Sequence, residues 1–231
     1  MVGTGAYWKL WTAAVISRLG DALRQVALPM LAVSLTADPR LIALIVVAGQ
    51  LPWLLFGLLG GAVADRADRR RSMMLVDALR AVLAVGLGLG VALGMVNIWL
   101  VLVFVFLLAT LGTVFDASAV AMLPAVVAPA ALAQANGRLQ AAMVAAGGFI
   151  GAPLGGALFV AAAAAPFLAD GLSFAVAAVL ALTLPAAAGR PADVDQTNRT
   201  AATVPPGPAP SVAGRTRRSL WHDAAAGLAQ V

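Results

Sequence analysis

Cysteine and glutamate are both absent from this 231-residue chain, and histidine and lysine occur once each. Without cysteine the chain can form no disulfide, no thiol nucleophile and no cysteine-ligated metal site. The single histidine, His222, lies near the C-terminus, so a histidine-based metal centre is not expected either. We therefore expect neither a metal nor a cofactor.

Charged residues are also scarce, at 11% of the chain, whereas 62% of the residues are hydrophobic. The mean hydropathy of +0.95 lies outside the range of soluble domains and predicts an integral membrane protein. The formal net charge of +5 comes from arginines grouped between apolar runs, not from a helix face with interleaved aromatics. No nucleic-acid partner is therefore expected.

No pattern in the sequence predicts an enzyme. There is no phosphate-binding loop of the Walker type, and no nucleophile lies beside a suitable base. The stretch GLGLGVALG at Gly86–Gly94 is similar to a dinucleotide-binding loop, but it lies inside an apolar run with no preceding strand. Small residues in that setting are expected to let membrane helices pack closely.

Six apolar runs are long enough to cross roughly 30 Å of hydrocarbon, which takes about 20 helical residues each. They cover about residues 10–35, 41–63, 73–95, 98–122, 139–162 and 166–186. An even number of spans places both termini on one side of the bilayer. A cytoplasmic N-terminus puts eleven Lys/Arg residues inside and only Arg40 outside, as the positive-inside rule requires. We expect a multi-pass protein of the bacterial cell membrane with both termini cytoplasmic.

Composition divides the chain into three parts. Residues 1–186 form the predicted six-helix bundle. Residues 187–218 are polar, rich in proline and without periodicity, which predicts a disordered cytoplasmic linker. Residues 219–231 begin another helical pattern and are expected to lead into a second bundle beyond the end of this sequence.

A repeat with a period near 95 residues runs through the bundle. Asp21 and Asp116 are separated by 95 residues, and Pro29 and Pro124 by the same distance. The stretch VDALRAV at 76–82 is echoed by ADGLSFAV at 169–176, with an offset of 93. Three helices per repeat give successive units opposite orientations, so we predict a 3+3 inverted repeat, an arrangement found in one class of transporter.

Several charged residues fall inside the predicted spans, where each costs about 2.5–3.5 kcal/mol at mid-bilayer. Asp21 lies three residues from both Arg18 and Arg24 and can pair with either. Arg80 and Asp116 lie at matching depths in their helices, so we predict that they form an ion pair. Asp21, and after it Asp116, is the first candidate for a carboxylate that carries a proton. A static structural pair is the alternative.

A dense cluster of charged residues interrupts the apolar sequence between the second and third predicted spans. Six of the seven residues from Asp65 to Arg71 are charged. The loop GAVADRADRRR resembles the cytoplasmic loop signature of the major facilitator superfamily. Its matching residues are Gly61, Asp65, Arg66, Arg69 and Arg70. The resemblance implies a latch that holds the cytoplasmic side in one conformation, and a loop that only fixes the topology is the alternative.

Other motifs resemble the branch of this superfamily that exports drugs and siderophores, including enterobactin exporters and macrolide efflux proteins. They are SRLGDAL at 17–23, VDALRA at 76–81, LPAVVAPAALAQANG at 123–137 and DGLSF at 170–174. GGFIGAPLGG at 147–156 resembles the fifth-helix motif of antiporters. The resemblance makes Gly147, Gly151, Pro153, Gly155 and Gly156 candidates for controlling a gate, with plain helix packing as the alternative.

The resemblance implies the N-terminal half of a transporter that works by alternating access. The expected substrate is a hydrophobic or amphipathic drug-like molecule, and the expected energy source is a proton or other ion gradient. The expected partner is a second six-helix bundle, in a missing C-terminal half or in a partner chain. Helices 1, 2, 4 and 5 would line the cavity, which suggests Gln25, Gln50, Trp53, Phe115, Gln140 and Met143 as wall residues.

Three alternatives remain open at this point. One is a siderophore exporter. Another is a six-helix fragment or partner subunit without transport activity of its own. A homodimer of two such halves is the third.

Overall fold

The computed structural model describes residues 5–64 and 69–184, except for the side chains of residues 56–64, 69, 120, 121 and 125. The predicted linker and the segment that follows it lie outside the described residues. Six helical spans account for most of the described part, which contains no β-strand. The first four are α1 (Gly5–Leu35), α2 (Pro39–Ala64), α3 (Arg69–Ala92) and α4 (Ile98–Val126). This all-α, six-helix architecture confirms the predicted fold class.

The fifth span is a composite. A 3-10 turn at Pro129–Ala131 leads into α5 (Leu132–Val144), a π-helix (Ala145–Gly151) and α6 (Ala152–Ala161). The sixth span is α7 (Ala165–Leu182). The predicted fifth span begins at 139, whereas the helix begins at Leu132. Hydropathy excluded the polar first turns of α5, but a helix can extend beyond the hydrocarbon without a change in hydrogen bonding.

Membrane-spanning character follows from length and composition. Within the described residues, four helical segments qualify as spans, and Pro39–Leu55 is a shorter apolar helix. These four are Arg70–Ala92, Ile98–Pro124, Pro129–Ala161 and Ala165–Leu182. Although α1 has 31 residues, it carries Arg18, Asp21 and Arg24 within two turns, which lowers its hydropathy.

Local sequence signals account for the helix boundaries. The Asn97 side chain accepts a hydrogen bond from the Leu100 N–H at 2.9 Å and so caps the start of α4. The turn before it contains Gly94, whose φ of +68° is accessible to glycine at little cost. Prolines lie inside α1, α2 and α4. Membrane helices tolerate such prolines because neighbouring groups satisfy the freed backbone.

Helix packing follows the repeat seen in the sequence. α1 packs against α7 and against the π-helix and α6, while α4 packs against α3 and α2. α3 and α7 pack against each other. The repeat relates α1 to α4, α2 to the fifth span, and α3 to α7. Under this relation the α1–α7 contact corresponds to the α4–α3 contact, and the contact of α1 with the fifth span corresponds to that of α4 with α2. The α3–α7 contact corresponds to itself. The packing therefore has the inverted 3+3 symmetry that the sequence predicts.

Two larger apolar cores lie toward the two ends of the bundle, and a small third one (Ala84, Leu108 and Phe174) lies between them. The first is built from the start of α1 and α3 and the end of α4 and α7, and includes Tyr7, Met73 and Met122. The Tyr7 hydroxyl in that core donates to the Ala135 carbonyl at 3.1 Å. The second core lies at the opposite ends of the same helices and includes Leu31 and Phe167. The charged residues of the spans lie between these cores.

Close approach of the fifth span to α1 depends on glycine. A Cβ atom at Gly155 would lie 2.6 Å from the carbonyl oxygen of Leu23, and one at Gly151 would lie 2.5 Å from the Ala22 Cβ. Both distances are too short for a real contact. A Cβ at Gly156 would meet nothing closer than 3.8 Å. Helix packing is therefore one role of Gly151 and Gly155, and a role in gating stays a prediction for the whole motif.

We expect Gly155→Ala to lower the stability of the bundle by about 1–3 kcal/mol, because the added methyl group meets rigid backbone of α1. Gly148→Ala is the matched control, since a Cβ there meets nothing within 4 Å. Thermal unfolding in detergent, followed by tryptophan fluorescence, measures both variants. Equal melting temperatures for the two would contradict the packing described here.

Candidate functional site

The intramembrane charges form a network that joins three helices. Asp21 on α1 is its centre and lies opposite Arg80 on α3. Nη2 of Arg80 donates to both carboxylate oxygens of Asp21, at 2.7 and 2.8 Å. Arg24, three residues along α1, donates its Nη2 to Asp21 Oδ1. One carboxylate therefore holds two guanidinium groups from two helices.

Arg24 extends the network to α7. Its Nε donates to Asp170 Oδ2 at 2.7 Å, and the side chains are 7% and 0% exposed. Charge-assisted hydrogen bonds of this kind are among the stronger polar contacts in proteins. Arg24 thus ties α1 to α7 through a pair almost closed to solvent.

Arg80 is held on several sides. Its Nη1 donates to Ser17 Oγ at 3.3 Å and to Asp77 Oδ1 at 3.5 Å. The guanidinium carbon lies 3.9 Å from the centroid of the Phe174 ring, a cation–π contact. These contacts fix Arg80 between α1, α3 and α7.

The network leaves some buried atoms without a partner among the described residues. They are Asp77 Oδ2, Asp170 Oδ1 and Arg80 Nε. Charges inside a membrane protein usually mark functional positions, because each must repay its desolvation. A fully satisfied buried network makes a structure rigid, and the described residues satisfy this one only in part.

The predicted ion pair between Asp116 and Arg80 is wrong, because Arg80 binds Asp21 instead. Asp116 is exposed and forms no ion pair or hydrogen bond with the part of the chain that the structure describes. Asp21 and Asp116 are repeat mates, so depth in the membrane cannot distinguish them. Only the contacts of Arg80 in the tertiary structure distinguish the two.

Two cavities flank the charged residues. The first, of about 440 Å³, lies between α1, α4 and α5 and reaches Leu123 and Leu139. The second, of about 360 Å³, lies between α1, α2 and α4 and reaches Leu28 and Ile45. Five residues line both cavities: Arg18, Asp21, Arg80, Gly112 and Asp116. The cavities therefore extend toward opposite ends of α1 from a common charged centre.

The structure distributes the suggested wall residues between these cavities. Phe115, Gln140 and Met143 line the first cavity. Gln25, Gln50 and Trp53 line the second. The polar lining and the large apolar side chains give both cavities a mixed surface.

Most of the charged loop, residues 65–68, lies outside the described residues. Asp65 and Arg66 lie outside the described residues, and only the backbone is described at Gly61 and Arg69. Arg70 is described: its Nε donates to the Ala181 carbonyl at 3.3 Å, and its Nη2 donates to the Leu182 carbonyl. A cation there satisfies carbonyls at the C-terminal end of α7. The latch itself stays a prediction.

Three members of the network were not among the predicted site residues. Asp77, Asp170 and Ser17 each lie within a sequence motif, but none of them is a predicted site residue. The repeat contained a signal for the two aspartates, because they occupy equivalent positions in α3 and α7 at an offset of 93. No sequence signal marks Ser17 as a partner of Arg80.

The sequence profile of the transmembrane secretion effector family matches residues 3–203. The chain belongs to this family of the major facilitator superfamily. Its six-helix bundle is accordingly that of a transporter family. The resemblance of the loop and helix motifs to the major facilitator superfamily is therefore confirmed.

Two curated relatives are similar to this family member, both named macrolide efflux protein A. One is from Streptococcus pyogenes and the other from its serotype M6 strain ATCC BAA-946 / MGAS10394. Each is 24% identical over 113 residues, which are 49% of this chain and 28% of the relative. The match thus spans about a quarter of the length of these relatives. No solved structure shows significant similarity to the chain.

We expect Arg24→Met to destabilise the bundle by about 3–5 kcal/mol, because it leaves Asp170 buried without its cation. Arg18→Met is the matched control on the same helix, since Arg18 forms no ion pair with the described residues; its effect should stay below about 1 kcal/mol. Unfolding in a graded denaturing detergent measures both. The double variant Arg24→Met/Asp170→Leu should recover part of the loss, and equal losses for the two single variants would contradict the network.

Proposed function

We propose that the chain forms one six-helix half of a secondary active exporter of hydrophobic or amphipathic drug-like molecules. Three observations support this: membership of a transmembrane secretion effector family, similarity to macrolide efflux proteins, and two cavities of mixed polar and apolar lining. The substrate would be a small molecule taken from the lipid or the cytoplasm. No enzymatic step is part of this function.

The observation that carries the proposal is the shared wall between the two cavities. Asp21 and Arg80 line both of them and bind each other across α1 and α3. Alternating access requires one side to close as the other opens. A rearrangement of this one contact would change the walls of both cavities together.

Ion coupling would act at the same place. Asp21 accepts hydrogen bonds from both Arg24 and Arg80. A proton on Asp21 would remove the negative charge that holds the two guanidinium groups, and so would favour another arrangement of α1, α3 and α7. Asp116 is the second candidate for this role, and a proton or other ion gradient would supply the energy.

A second six-helix bundle would complete the transport path, from the rest of a longer chain or from a partner chain. The protein would lie in the bacterial cell membrane with both termini cytoplasmic, as its arginine distribution favours. In that orientation the loop containing Asp65 and Arg66 would act as a cytoplasmic latch.

Efflux from cells tests this function. Cells would express the 231-residue chain alone, or joined to whatever coding sequence follows it, and would be loaded with lipophilic dyes, macrolides or siderophores. We expect dye and macrolide export that Asp21→Asn abolishes, because the two arginines lose their common partner. Asp38→Asn is the control, since Asp38 lies outside the cavities and caps Arg40 through an oxygen that asparagine keeps.

Each alternative has its own result in this experiment. Export by the chain alone would indicate a self-sufficient, dimeric half. Export of siderophores without dyes or macrolides would replace the proposed substrate class. No export in either form would mean a non-transporting bundle, and the proposed function would be wrong.

A further inference from the structure

The charged residues in the centre of the bundle divide into those that form ion pairs with one another and those that do not. Asp21, Asp77 and Asp170 each accept a hydrogen bond from Arg24 or Arg80. Asp116 and Arg18 form no ion pair with the described residues. Each of them lines both cavities. Asp116 is the more open of the two: it is exposed, whereas Arg18 is half-buried.

The repeat accounts for the lack of an ion pair between Asp116 and the described residues. Asp21 has Arg24 three residues further along its helix, and the equivalent neighbour of Asp116 is Ala119. Arg80, the other partner of Asp21, corresponds to Ser173 at the offset of 93. Asp116 therefore occupies the position of Asp21 without either of the cations that bind Asp21.

The total charge of the centre is not balanced. Counted as formal charges, four aspartates (Asp21, Asp77, Asp116 and Asp170) face three arginines (Arg18, Arg24 and Arg80), an excess of one carboxylate. In a site of low dielectric constant, one added positive charge is attracted more strongly than in water. A ligand with a single positive charge would neutralise the centre.

The surroundings of Asp116 suit an apolar ligand body. The first cavity offers Leu123, Leu139, Met143 and Val144 on the side of α4 and α5. The second offers Leu28, Ile45, Val46 and Leu108 on the side of α1, α2 and α4. Apolar walls with a small number of placed polar or charged groups are the usual form of a selective small-molecule site.

We propose that Asp116 binds the positively charged group of a lipophilic organic monocation, whose apolar body occupies the cavities on either side. This inference rests on the proposed function, because it names the chemical class of the exported molecule. Arg18 lies across the same cavities with its Nε 3.3 Å from where a Cβ of Gly147 would be, so it lies against the π-helix. Its positive charge weakens cation binding and limits the site to ligands with one charge.

Two ions of the same shape and opposite charge test the inference. Tetraphenylphosphonium is a permanent cation that cannot exchange a proton, and tetraphenylborate is its anionic counterpart. Binding of each to the full 231-residue chain in nanodiscs would be measured by equilibrium binding of the radiolabelled ion. We expect tetraphenylphosphonium to bind saturably and more tightly than tetraphenylborate.

Variants then locate the charge. Asp116→Asn should weaken tetraphenylphosphonium binding by about tenfold or more, and Asp116→Glu should retain it. Asp38→Asn, which removes a carboxylate outside the cavities, should leave binding unchanged. Arg18→Gln should strengthen binding of the cation several-fold, because an opposing charge is removed.

Three outcomes would overturn the inference: no saturable tetraphenylphosphonium binding, the same affinity in Asp116→Asn, or tighter binding of tetraphenylborate that Arg18→Gln abolishes. The last of these would make the cavity an anion site. Export of neutral dyes without Asp116-dependent cation binding would overturn this inference and leave the proposed function standing. Asp116-dependent binding without export of any compound would overturn the proposed function and leave this inference standing.

Discussion

The contacts of Arg24 and Arg80 with Asp21 are the constraint on which the centre of this bundle depends. They bring α1, α3 and α7 together between the two end cores, and Arg24 extends the same connection to Asp170. In a membrane the hydrophobic effect does not hold helices to one another, because lipid tails are as apolar as leucine side chains. Polar contacts and close glycine packing therefore supply much of the specificity of this arrangement.

The inverted repeat gives the bundle its symmetry, and the arginines break it. Aspartates occur in repeat-related pairs, Asp21 with Asp116 and Asp77 with Asp170, but Arg24 and Arg80 have no charged counterparts. As a result the ion network forms around Asp21 and reaches into the second repeat only through Asp170, whereas Asp116 presents an open carboxylate.

Much of the fold could be predicted from the sequence because hydropathy and helix length are local properties. The six helices lie close to the limits of the predicted spans, and their packing has the symmetry of the predicted repeat. The start of α5 was missed because polar residues can continue a helix beyond the hydrocarbon. The π-helix at Ala145–Gly151 was not foreseen either, since a register change within a helix depends on what packs against it.

The sequence by itself determined the membrane class, the number of helices, the repeat and the residues that could carry charge at mid-membrane. Only the tertiary structure decided which of those charges meet. Asp21 and Asp116 are equivalent in residue type, spacing and depth, so no sequence rule separates them as partners for Arg80. In the structure Arg80 binds Asp21 and also contacts Ser17 and Phe174, and Ala119 gives Asp116 no cation three residues further along its helix.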